Sequence, residues 1–116
     1  MSIPSEITAL VERLNQELAQ IEREATEGLM LARITLEYFP ENIILIEMFA
    51  FLNNVIFLIG IERERIPTIV ATLAETDETT GEDIQAVGED LAAKLGRLLE
   101  TKIRVSRIKN RLENLQ

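Results

Sequence analysis

The stretch Ile43–Ile61, IILIEMFAFLNNVIFLIGI, limits what this chain can fold into more than any other. Thirteen of its nineteen residues are Ile, Leu, Val or Phe. They share the run with one charge, Glu47, and two central amides, Asn53 and Asn54. A helix on a protein surface shows one apolar stripe, whereas this run is apolar on every side, so something has to bury it. The flanking segments, a second copy of the chain and a lipid bilayer are the three ways to do so.

The flanks have helical periodicity. From residue 5 to 38, apolar or small residues fall at Ile7, Val11, Leu14, Leu18, Ile21, Ala25, Gly28 and Ala32, in alternating steps of four and three. That is a heptad seam along a first helix, starting near Pro4 with Ser2 or Ser5 as its cap. Its later positions are small, which suits a helix that must accept large side chains from a neighbour. Phe39-Pro40 breaks it, because the residue before proline is pushed out of the helical region. A second helix is expected over about 41–74, kinked near Pro67. Residues 75–81, ETDETTG, read as a loop, and Thr80 with Asp83 resembles a capping box. A third helix is expected over about 82–115, where Ile84, Leu91, Leu98, Val105 and Leu112 recur every seven residues. Val87, Leu95, Ile108 and Leu115 form a less regular second seam beside them.

The pattern predicts one all-α domain over residues 1–116, an elongated antiparallel three-helix bundle with coiled-coil-like seams. With turns near residues 40 and 79, Gly28 is expected at the height of Leu52 and Ala32 near Met48. By the same measure Glu47 comes level with Arg111, so a buried ion pair of Glu47 with Arg107 or Arg111 is expected. Three helices cover only part of an all-round apolar second helix. The surplus predicts self-association, a dimer being favoured, with Phe49, Leu52, Asn53, Ile56 and Phe57 among the buried set. A buried Asn pairing across a symmetry axis fixes register, and Asn53 or Asn54 is a candidate. The alternative is that both amides sit at the rim.

Composition excludes several chemistries. The chain has no Cys and no His, which removes disulfides, thiolates and imidazole as base or ligand. No phosphate-binding glycine loop or nucleophile elbow is present. Pairs such as Glu24 with Glu27, or Glu82-Asp83 with Glu89-Asp90, put carboxylates on one helix face. With 20 acidic residues such pairs arise by chance, so no metal, cofactor or catalytic residue is expected. An enzyme with a carboxylate metal site is the third reading of function. The N-terminal MSIPSEITAL lacks the basic-then-apolar pattern of a signal peptide, and with the missing Cys this gives a cytoplasmic expectation.

Charge is unevenly placed. The chain carries a net −8, yet residues 94–111 hold seven basic residues against one acid, Glu100. Arg97, Arg104 and Arg111 form a stripe at seven-residue spacing. The stripe suits an acidic partner or an anionic surface, but Glu22, Glu24, Glu27 and Glu37 on the first helix lie at similar height, and an internal match is the favoured expectation. Nucleic acid is not expected, because no aromatic residue interleaves the cluster and the overall charge opposes it. Membrane insertion is not expected either. Thirteen large apolar residues contribute about −4 to −8 kcal/mol on an insertion scale, but an acid costs up to about +3 and two amides sit at the centre. The run is also barely long enough, and its flanks show no basic bias.

The segments ATEGL (Ala25–Leu29), FPENIILIEMFAFLNN (Phe39–Asn54) and GEDLAAKLGRLLETKI (Gly88–Ile103) resemble small, uncharacterised all-helical proteins of cyanobacterial genomes. The resemblance implies a helical fold and carries no activity to any residue. The third helix also resembles the paired spacer helices of type I restriction specificity subunits, in coiled-coil composition alone. The function expected is a non-catalytic, self-associating interaction or scaffold protein. The alternative is an accessory subunit that binds a protein partner through its second helix, with the basic third helix on an anionic surface.

Overall fold

The computed structural model describes residues 3–75 and 80–116. Three helices run up, down and up: α1 (Ser5–Tyr38), α2 (Ile43–Glu75) and α3 (Gly81–Asn114). The rod measures 60 × 18 × 17 Å, and helices of some 34 residues, at about 1.5 Å per residue, span about 50 Å of that length. α1 packs extensively against both neighbours, while α2 and α3 touch each other least.

Each turn has a local cause. Asn42 accepts a hydrogen bond from the Leu45 backbone N–H at 3.1 Å through its side-chain oxygen, which starts α2. Thr80 and Asp83 form the expected capping box at the start of α3, each side chain accepting from the other's backbone N–H. Most of the 75–81 loop lies outside the described residues. α2 passes through Pro67 without a break. The Thr68 and Thr72 hydroxyls donate to the carbonyls of Glu64 and Thr68, one turn back on either side of the proline.

The α1 seam is buried as its spacing requires: Ile7, Leu14, Leu18, Ile21, Ala25, Gly28 and Ala32 face the core, and Val11 is half-buried. On α3, Leu91, Val105 and Leu112 are buried and Ile84 and Leu98 partly so. α2 contributes Leu45, Met48, Leu52, Val55, Ile59, Ile66 and Leu73, again in steps of three, four and seven. Gly28 has a steric reason: a Cβ there would stand 2.9 Å from Cδ1 of Leu52. The two residues are therefore level, and glycine is what admits the leucine.

Polar bonds join α1 to α3 along its length. Glu17, nearly buried, lies 3.1 Å from the Lys102 ammonium, and Arg13 approaches its other oxygen. Ser106 donates to Glu24, and Gln116 donates to the Thr35 hydroxyl. Lys109 meets Glu27 at 2.6 Å. That bond holds the Glu27 carboxyl below its ordinary value of 4.5 and raises Lys109 above 10.5. A depressed acid stabilises the fold above its unfolded pKa and loses that contribution as pH falls through the folded value; a raised base does the converse at the alkaline end. Glu27→Gln should therefore lose less thermal stability than the parent between about pH 6 and about pH 2.5, by a small margin since the pair is at the surface. Melting curves at the two pH values check this.

Candidate interaction surface

With its core stripe fixed by α1 and α3, α2 turns an apolar face outward. Ile43 is 69% exposed, Phe57 67% and Ile44 56%, while Ile46 and Leu58 are about half exposed. Among the described residues α2 alone is long and apolar enough to cross a membrane, and only 28% of its most apolar window is buried within the chain. The outward line runs Ile43, Ile46, Ala50, Phe57, the half-buried Ile61 and Glu64, flanked at mid-length by Asn53 and Asn54. Both amides and Glu47 are exposed.

The expected interface set divides across this geometry. Phe57 and Asn53 point outward, Phe49 and Ile56 are half-buried, and Leu52 has no exposed surface. Leu52 therefore belongs to the core of the single chain, facing Gly28, and is not available to a second copy. Adjacent helical positions differ by about 100°, which is why one run supplies both a core and an outer face.

The expected Glu47 ion pair does not form among the described residues: Glu47 meets neither Arg107 nor Arg111, and it lies on the outer face of α2. Its height beside α3 follows the turns, but its direction does not: the helix presents Glu47 to solvent and Phe51 to α3. The Arg104 guanidinium stands 4.2 Å over the Phe51 ring, a distance at which the ring face attracts a cation. On the opposite flank Arg33 of α1 lies 6.0 Å from the Phe49 ring centre.

The basic cluster on α3 separates by residue type. Lysines are matched internally: Lys94 with Glu62 at 2.8 Å, Lys102 with Glu17, and Lys109 with Glu27. Arg97, Arg104, Arg107 and Arg111 form no ion pair among the described residues. Of the expected acidic partners, Glu27 takes Lys109, Glu24 takes a serine, and Glu22 takes Arg63 of α2 at 2.6 Å. The stripe of arginines runs instead along α2. Arg97 shares a groove of about 260 Å³ with Leu58, Arg104 covers Phe51, and Arg111 shares a cleft of about 460 Å³ with Ile44. Each step of seven on α3 thus matches a step of seven on α2 in the opposite direction. Arginine suits that ladder, since its stem lies on apolar surface while its head stays in water. The sequence showed the Arg stripe but not its partner, because the matching stripe 44, 51, 58 is submerged in a uniformly apolar run.

Among the described residues no three acidic side chains converge to hold a metal. No protein-family model matches the chain, and no curated protein or solved structure is significantly similar to it.

Proposed function

We propose that this protein is a non-catalytic, self-associating helical scaffold in the cytoplasm, whose copies meet through the outer face of α2. The supporting observation is the line from Ile43 to Ile61, which leaves two large side chains, Ile43 and Phe57, about two-thirds exposed after the chain has folded. Contiguous apolar surface of this kind marks an interaction site. The face carries Glu47, Asn53 and Asn54 within it, and amides and a carboxylate find hydrogen-bonding partners on protein but none in hydrocarbon. Absolute mass by light scattering in detergent-free buffer tests the reading. A dimer is expected. A stable monomer overturns it, and protein soluble only with detergent moves the face to a membrane.

A second reading draws on the arginine ladder. Three arginines at seven-residue spacing without carboxylate partners would suit an acidic protein or an anionic surface beside α2. This makes the chain an accessory subunit, and its mark would be a monomer that gains solubility or stability only with that partner.

A further inference from the structure

The outer face of α2 has an internal symmetry that bears on how a second copy sits on it. Taken from Ile43 to Glu64, the outward line has steps of three, four, seven, four and three, which read alike from either end: Ile43, Ile46, Ala50, then Phe57, Ile61, Glu64. Its midpoint falls between Asn53 and Asn54. Resting on the self-association reading, we propose that two copies pair antiparallel along α2, with a twofold axis passing between Asn53 and Asn54.

Two features favour this over a parallel pair, and a third accommodates it. The first is size. An antiparallel register sets Ala50 level with Phe57 of the second copy and Ile46 level with Ile61, so small meets large, as facing layers require. A parallel pair sets Ala50 beside Ala50 and Phe57 beside Phe57. The second is charge. Glu47 shares a flank with the second copy's Arg65, about 7.5 Å away along the axis, and Arg65 is well exposed, held among the described residues only by a 3.9 Å contact with Glu62. In a parallel pair the second copy's Arg65 lies on the opposite flank from Glu47. The third is the amides. Asn53 and Asn54 lie about 100° apart on either side of the outward line. At the axis Asn53 meets Asn53 on the α1 side and Asn54 meets Asn54 on the α3 side, and an amide both donates and accepts, so each pair is self-complementary.

The symmetry has a consequence for the arginine ladder. A twofold axis perpendicular to paired helices keeps each flank on its own side, so both α3 helices lie on one face of the dimer and both α1 helices on the other. Arg97, Arg104 and Arg111 of the two copies then form one cationic face that neither copy makes alone. A parallel pair puts the two ladders on opposite faces.

The absence of Cys makes the test direct. Ile46→Cys and Ile61→Cys are made separately, and the oxidised proteins are examined alone and mixed after exchange of subunits. The antiparallel pair predicts disulfide-linked dimer in the mixture, with at least tenfold less in either variant alone, since like positions are about 22 Å apart along the axis. Ready linking of each variant to itself overturns the antiparallel pair and leaves self-association standing. Monomeric mass of both reduced variants and of the parent, with no linking, overturns self-association and this inference with it.

Discussion

Phe57→Glu is expected to run at the mass of one chain under conditions where the parent runs at two. Phe57 is 67% exposed in the isolated bundle, so the substitution removes nothing from the core. In the antiparallel arrangement the ring lies against Ala50 of the second copy, near the middle of the contact. Aromatic anchors at the centre of an interface are where binding energy concentrates, and losing one costs about 2–4 kcal/mol. Burying the new carboxylate adds to that. Both copies carry the substitution, so the cost enters twice and the expected weakening is on the order of 10³- to 10⁶-fold in the dissociation constant. The far-ultraviolet circular dichroism of the variant should remain that of the parent. A Phe57→Glu protein that still dimerises would place the contact elsewhere on the molecule.

Leu52→Ala is expected to have the largest effect on folding itself. Leu52 is completely buried and approaches Gly28 so closely that a Cβ there would sit 2.9 Å from its Cδ1. Truncating a buried leucine costs about 2–5 kcal/mol, because the cavity collapses only in part. Gly28→Val overpacks the same spot and should cost about 1–3 kcal/mol, somewhat less than its sterics alone, since valine is the better helix former. The sharper expectation concerns the pair. The side chain added by Gly28→Val would occupy space that Leu52→Ala vacates, so the double variant should be more stable than the sum of the single losses by about 1–2 kcal/mol. Urea unfolding midpoints of the four proteins, at one fixed protein concentration, check this. Strict additivity would mean that the two side chains do not share one volume.

Leu52 and Phe57, close neighbours on one helix, show how far a sequence reading reaches. The level of Leu52 against Gly28 follows from chain length and the position of the turn, since a helix rises by a fixed amount per residue. The same arithmetic brings Glu47 level with the arginines of α3 and still gives the wrong contact. Height along a rod is set by counting residues. Direction around a helix is set by which stripe the neighbours bury, and in a run that is apolar on all sides the pattern does not single out a stripe. For α1 and α3, whose polar faces are unmistakable, the seams are largely legible, although Leu115, expected in the second α3 seam, lies beyond the helix and is 60% exposed. For α2 they are not, and the sequence pattern therefore groups Leu52 with Phe57 although the two face different ways.

The arginines and lysines of α3 make a similar point about charge. Composition reveals a basic segment and an acidic α1 at matching height, and lysines do meet acids there: Lys102 with Glu17 and Lys109 with Glu27. The arginine stripe lies on the other flank, against Ile44, Phe51 and Leu58. Spacing of seven identifies the stripe, but the flank it occupies depends on the rotation of α3 in the bundle.

The sequence by itself determined three helices, their lengths, their order, the capping box at Thr80 and the seams of α1 and α3. Each of those is a local matter of periodicity, capping and chain breaks. Only the tertiary structure decided which side of α2 the core takes, and so which apolar residues remain on the surface. The reason is physical: burial of apolar side chains is non-directional. A helix that is apolar all round can pack equally well on any face until its neighbours, through Gly28, Ala25 and the matched seams around them, select one.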